Sequence, residues 1–366
     1  MTYTNPLMDP EALNFFRSAI ETPSPSGYEQ PVQRLVREYI APYADAVRTD
    51  VHGNVIASVG DPTGPRLLLA GHCDQIGMLV TNIDEDGYVY AQTIGGWDPQ
   101  QLIGQAMMIW GDSGPVQAVI SRKPIHLLNE NERKQVVLLE QMWLDVGAKS
   151  KAEAQEKIRI GDGVTLELRY RPLMNDVVCG PGMDNKTGMW TVIDSLRRAV
   201  GIAKSNLKPL GCHLHSVSTV QEEIGLRGAK TAAGSIDPAV AIAVDVTHAS
   251  DCPTIDKNQQ GVIKLGAGPV IYRGPNMNPA VVDRLIALAK EHSIPYQLAA
   301  TGRATPNDAN VLQIHGGGVA TGVVAIPNRY MHSAVEAVSL NDMDHVAQLL
   351  ALFAMALTPQ CDFVPK

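Results

Sequence analysis

Positive charge is in short supply. Lys and Arg number 30 against 38 Asp and Glu, a formal net charge of −8. The chain therefore has no field to gather phosphate backbones, which argues against nucleic acid as a partner. Cysteine is scarce too: Cys73, Cys179, Cys212, Cys252 and Cys361 are odd in number, widely spaced and form no CxxC pair. That excludes a disulfide framework and points to a reducing, cytoplasmic compartment. No run of about 18 apolar residues occurs, so no membrane-spanning helix is expected. The stretch Met1-Thr-Tyr-Thr-Asn-Pro-Leu-Met-Asp-Pro10 lacks a basic patch followed by an apolar segment, so no signal peptide is expected. What is present is a globular composition, 45% apolar and 19% charged over 366 residues, long enough for roughly two domains of about 100–200 residues each.

The apolar periodicity changes twice along the chain. Residues 9–20 read as a helix, with Asp9 as cap, Pro10 in the first turn, and Leu13, Phe16 and Ile20 on one face. A second helix carries Val32, Leu35, Val36 and Tyr39. Asp50-Val-His-Gly-Asn54 reads as a turn and Val55–Val59 as a strand. Arg66-Leu-Leu-Leu-Ala70 is a buried strand running into Gly71-His72. From about 77 to 178 the pattern becomes short strands between turn signals: Met78–Asp84, Tyr88–Ile94, Ala106–Trp110, Val116–Ser121 and Val164–Tyr170. One helix is signalled there by the capping box from Ser150 to Glu153. After 180 the α/β rhythm resumes: a helix from about Asn185 to Ala199, strands at His213–Val220, Ala239–Val246 and Val319–Ile326, and helices near 278–292 and 341–358. The expectation is an α/β catalytic domain (1–76 and 179–366) interrupted by a β-rich insert (77–178).

Imidazoles and carboxylates cluster just after the apolar strands. His72 and Asp74 follow one, Glu222 and Glu223 another, Asp245 lies near the end of a third, and His332 follows a fourth. In an open parallel sheet, ligands bind at the carboxyl ends of strands. Asp184 joins from the glycine-rich turn Cys179-Gly-Pro-Gly-Met-Asp184. Taken singly, His72 reads as a surface or capping histidine, Glu222-Glu223 as a solvated pair at a helix start, Asp184 as a helix cap and Asp245 as a turn residue. His248 is left out of the set. Together, two imidazoles and three carboxylates suit zinc, cobalt or manganese better than calcium or copper. One bridging carboxylate would let five ligands hold two ions about 3.5–4 Å apart, with a bound water of lowered pKa and a spare glutamate as base.

The stretches Ser24-Pro-Ser-Gly-Tyr-Glu29, Asp50–Asn54, Ala70-Gly-His-Cys-Asp-Gln-Ile-Gly77, Leu144–Ala148, Gly161-Asp162, Gly180-Pro-Gly-Met-Asp-Asn-Lys-Thr-Gly188, Thr219-Val-Gln-Glu-Glu-Ile-Gly-Leu-Arg-Gly-Ala229, Val244–Ala249 and Ile326–Glu336 follow one another along the chain. In them the chain resembles the M42 family of metallo-aminopeptidases. The resemblance implies one metal held by His72, Asp184 and Asp245, and a second by Asp184, Glu223 and His332, with Glu222 as base and Asp74 orienting His72. It implies a co-catalytic zinc-peptidase-like α/β/α catalytic domain and a PDZ-like insert used for dimerisation. It further implies a cis bond after Asp184, two divalent ions per chain, short peptides as substrates and assembly into a dodecamer. Cys73, Gln75, Asn185-Lys186 and Ala334 depart from the family's commoner residues. Gln75 and Asn185 make the surroundings less negative, and the Cys73 side chain should point away from those of His72 and Asp74.

The expected activity is removal of N-terminal residues from short peptides by attack of a metal-bound hydroxide. An amidase or deacylase acting on small acylated substrates is the alternative. A glycosidase fits less well, because adjacent Glu222 and Glu223 cannot flank a glycosidic bond at about 5–10 Å. A non-catalytic metal shell leaves the base beside the ligands unexplained.

Overall fold

The computed structural model describes residues 8–365. The terminal stretch read above for a leader thus lies outside the described residues as far as Leu7. The first helix, Pro10–Ile20, begins where its cap directs: Asp9 Oδ1 accepts from the Ala12 amide at 2.9 Å, and Ala12, Phe16 and Ile20 are buried. The second, Gln30–Ile40, buries Val32, Val36 and Tyr39.

An eight-stranded sheet positions everything else. Its order is Ala46–Thr49, Val55–Gly60, His213–Thr219, Arg66–His72, Val240–His248, Ala320–Asn328, Val270–Arg273 and Gln297–Ala300. The four central strands run parallel, with Thr219 opposite His72 and Asp245 opposite Ala325, so their carboxyl ends share one rim. Strands covered on both faces need apolar side chains on both, and Leu67, Leu68, Leu69 and Ala70 are all fully buried. The helices pack in two sets, as an α/β/α sandwich requires: Met183–Ser205 with Leu340–Ala356 and Pro10–Ile20, and Arg227–Ile236 with Ala309–Gln313. A close approach fixes the strand carrying His72. A Cβ on Gly71 would come within 2.5 Å of the Gly188 backbone, so the long helix lies against the strand end only because residue 71 is glycine.

Between these elements the chain forms a closed barrel. Its order is Gly77–Ile83, Val89–Ile94, Met142–Asp145, Gly114–Arg122, Ala106–Gly111 and Gly163–Leu166. Met78, Val80, Ile109, Leu144 and Val164 form a core separate from that of the sheet. The strand expected to reach Tyr170 ends at Leu166. Beyond it, Arg171–Pro172 and Val177–Cys179 form a small sheet with Ala337–Ser339, and Val178 packs in the main core. The capping box is offset by one residue: Ser150 Oγ accepts from the Glu153 amide at 3.3 Å, but the Glu153 carboxylate takes the Lys149 amide. Among the described residues no helix is long and apolar enough to cross a membrane. All five cysteines are free thiols.

Candidate metal centre

The shared rim brings the expected residues together. His72 ends its strand, Glu222 and Glu223 follow His213–Thr219, Asp245 lies within Val240–His248, and His332 follows Ala320–Asn328. Asp184 enters from the start of Met183–Ser205, where helical geometry is interrupted at Asp184 and Asn185 and the bond between them is cis. The Asn185 side chain repairs the interruption. Its Oδ1 accepts from the Gly188 amide at 2.9 Å, and its Nδ2 donates to the Val244 carbonyl at 2.8 Å, tying the turn to the strand of Asp245.

His72 Nε2 lies 3.4 Å from Asp184 Oδ1 and 3.8 Å from Asp245 Oδ1. His332 Nε2 lies 3.2 Å from Asp184 Oδ2 and 3.4 Å from Glu223 Oε1. The two oxygens of Asp184 therefore face different imidazoles. Donor atoms of His72, Glu222 and Asp245, and likewise of His72, Asp184 and Glu223, lie within 4.8 Å of one another. Such a mixed nitrogen and oxygen set can hold a divalent ion. Glu222 stands among these atoms, its Oε2 3.7 Å from His72 Nε2.

The electrostatics show what the cluster needs. Burial, with Asp245, Asp308 and Glu223 nearby, pushes Glu222 up to about 10 against the pull of His72. Burial lifts Glu223 to about 7, opposed by the His332 ring beside it. Burial works against a charged His332, but Asp184 and Glu223 outweigh it and hold the ring at about 11. Asp184, although buried, is kept below the usual carboxylate range by His332 and His72. Glu223 Oε1 is buried and makes no hydrogen bond. A pocket of acids that ionises only by charging its imidazoles is one that divalent cations would neutralise instead.

The family described as M42 glutamyl aminopeptidase matches residues 53–349. The chain belongs to the M42 peptidase family. It is 37% identical to a lysyl aminopeptidase of Pyrococcus furiosus over 95% of this chain and 98% of that protein. A TET aminopeptidase from a marine sediment Thaumarchaeota archaeon superposes with a TM-score of 0.89 at 32% identity, covering 95% of this chain and 97% of that one. The TET1 peptidase of Pyrococcus horikoshii, described as able to assemble into a tetrahedron or a large octahedral shell, superposes at 0.83 and 28% identity, covering 94% of this chain and 100% of that one.

In this M42 chain a second set of buried acids faces the backbone. The Asp74 carboxylate lies 3.4 Å from His72 Nδ1, which is nearer, at 3.0 Å, to the Asp74 carbonyl. That carboxylate accepts from the Glu222 amide at 3.0 Å, the Glu223 amide at 3.1 Å and Ser26 Oγ at 2.6 Å. Glu29 takes the Gln221 amide at 3.1 Å. Glu336 takes the Asp184 amide at 3.0 Å and the His332 amide at 2.7 Å. Asn54 accepts from the Val220 amide at 3.1 Å. Glu29, Asn54 and Glu336 stood inside the matching stretches with no role read for them. Asp308 was missed altogether: it is buried, accepts from Thr219 Oγ1 at 2.7 Å, and leaves its other oxygen unpartnered. Two family departures meet, since Lys186 Nζ donates to Gln75 Oε1 at 2.6 Å and to the Thr22 carbonyl at 2.7 Å. Cys73 is buried in the main core, outside both donor sets, and His248 lines the cavity without joining either.

Proposed function

We propose that the chain removes N-terminal residues from short peptides, with His72, Asp184 and Asp245 holding one divalent ion and Asp184, Glu223 and His332 a second. The observation that carries this is Asp184, whose two oxygens face two different imidazoles. The family match and the aminopeptidase relatives support the reaction class. When bound, such ions supply Lewis-acid polarisation of the scissile carbonyl and lower the pKa of a water. Glu222 takes the attacking water's proton and returns it to the leaving amine. Asp74, through the amides of Glu222 and Glu223, keeps base and ligand in register. Nitrogen and oxygen donors favour zinc, with cobalt or manganese as the alternatives.

The domain division stays 1–76 with 179–366 and 77–178; the separate barrel core supports it as far as Leu166, while Arg171–Pro172 and Val177–Cys179 pair towards Ala337–Ser339. Six strands and two short helices support a PDZ-like reading of the insert. Self-association into a dodecamer is supported by the assemblies of the TET relatives. The free thiols support a cytoplasmic location.

Glu222→Gln tests the division of labour. It is expected to keep two ions per chain by elemental analysis while losing about 10²–10⁴-fold in turnover of aminoacyl p-nitroanilides. Glu223→Ala is expected to lose metal. Near wild-type turnover in Glu222→Gln would refute the base.

A further inference from the structure

The metal cluster occupies one part of the lining of a cavity of about 760 Å³. Much of the rest comes from elements that carry no metal donor: the short helix Lys257–Gln260, the strands Val270–Arg273 and Gln297–Ala300, and the segment 305–307. Ile263, Tyr272, Leu298, Val323 and Ala325 supply an apolar wall. Ile263, Ala325 and Tyr272, with Val270 and Ala299, form a small hydrophobic cluster of their own beneath it. Ala299 and Ala300 are short, which leaves room beside that wall.

Some of the polar groups in this part are committed to one another, while Asn258, Gln259, Gln260 and His248 also line it. The Tyr272 hydroxyl pairs with Thr247 Oγ1 at 2.6 Å, so the ring is its apolar offering. Thr305 Oγ1 donates to Asn307 Oδ1 at 2.8 Å and accepts from Asn276 Nδ2 at 2.9 Å. Among the described residues no lysine or arginine lines the cavity, and the only carboxylates lining it are the four of the metal cluster. A peptide's first side chain entering here would find no spare counter-charge. A lysine or glutamate would exchange its hydration for amide and hydroxyl groups and His248, with no lysine, arginine or carboxylate outside the metal cluster set aside for it, whereas an aliphatic or thioether side chain would bury area against Ile263 and Tyr272.

Resting on the aminopeptidase reading above, we infer that this cavity selects uncharged, medium-sized apolar N-terminal residues such as leucine and methionine. The specificity thereby departs from both the lysyl activity in the name of the Pyrococcus furiosus relative and the glutamyl activity in the family's description. The apolar wall at Ile263, Tyr272 and Leu298 is the discriminating element. Alanine and glycine would bind less well because they leave that wall uncovered.

Two measurements on the purified protein with its own metals test this. In the first, leucyl, methionyl, lysyl, arginyl and glutamyl p-nitroanilides are compared by kcat/KM. Leucyl and methionyl substrates are expected to lead each charged one by about ten-fold or more. Turnover with a charged residue equal or preferred would overturn the inference and leave the aminopeptidase reading standing. In the second, calorimetric titration with leucinamide, lysinamide and isoglutamine reads the cavity without chemistry. Leucinamide binding tightest supports the inference even if no p-nitroanilide is cleaved, an outcome that would instead sink the aminopeptidase reading. Lysinamide or isoglutamine binding tightest overturns the inference. Leu298→Glu adds a carboxylate at a half-exposed edge-strand position that the fold tolerates. It is expected to shift the lysyl-to-leucyl ratio towards lysine by about ten-fold, and an unmoved ratio would remove Leu298 from the wall.

Discussion

At the scale of single residues, buried carboxylates divide by what they face. Asp184, Glu222, Glu223 and Asp245 aim oxygens at the imidazoles, whereas Asp74, Glu29 and Glu336 aim theirs at backbone amides. Glu336 joins two of the proposed ligands, since its two oxygens tie the amides of Asp184 and His332. Removing such an outer partner of a metal ligand costs about 10–100-fold in metal affinity or activity. Glu336→Ala is therefore expected to weaken metal binding by that factor in a chelator competition, while Glu336→Gln, which keeps one acceptor oxygen, loses less. Equal affinity in wild type and Glu336→Ala would show that the two amides need no clamp. The proposed ligands were legible as a set because strand ends announce themselves as apolar runs followed by His, Asp or Glu. The clamps were not. No spacing rule connects Glu336 to an amide 152 residues earlier, and Asp308 sits in a segment, Thr305-Pro-Asn-Asp308, whose composition reads as a turn.

At the scale of elements, legibility followed length and periodicity. The central strands and the helices Pro10–Ile20 and Leu340–Ala356 carry unbroken apolar patterns. Val270–Arg273 and Gln297–Ala300 span four residues each, too few to show a period. The helix Arg227–Ile236 starts from a left-handed Leu226 with no side-chain cap and contains two glycines, so it lacks a start signal. Barrel closure was hidden as well, because Met78 pairs with Val164 across the whole insert. The strand His213–Thr219 carries a consequence for acid stability. His215 is buried with Nδ1 2.8 Å from Ser58 Oγ, and burial, then His213, Arg48 and Arg66, push it down to about 3. Its folded value lies below the unfolded one of about 6.5, so the unfolded chain takes up the proton first. The stability this neutral ring contributes is complete above about pH 6.5 and is lost as the pH falls, by about 2 kcal/mol at pH 5. His215→Gln is expected to narrow the difference between urea midpoints measured at pH 7 and pH 5. An unchanged difference would show that other groups set the acid limit.

At the scale of the whole molecule, the barrel interrupts a sheet whose ligands lie on both sides of it in sequence, and structureless insertions of that length are uncommon. The insert keeps its own core, yet leaves Val119, Ile125, Leu127, Val136 and Leu138 more than half exposed, all within one stretch of the barrel. Exposed apolar side chains this close in sequence suit a surface that meets another surface. Copies joined by repeated two-fold contacts close into finite assemblies. The chain is therefore expected to form an oligomer well above a dimer, a dodecamer by analogy with its TET relatives. Light scattering showing a monomer at working concentration would overturn this. Leu127→Glu combined with Leu138→Glu places charge in the patch without touching either core, and should reduce the particle mass while each chain keeps its far-ultraviolet spectrum. A double variant of unchanged mass would move the contact elsewhere. A shell with inward-facing sites admits peptides by size alone, so a folded protein should resist digestion while short peptides shorten from their N-termini. Cleavage confined to internal bonds, with free N-termini untouched, would refute the exopeptidase reading itself.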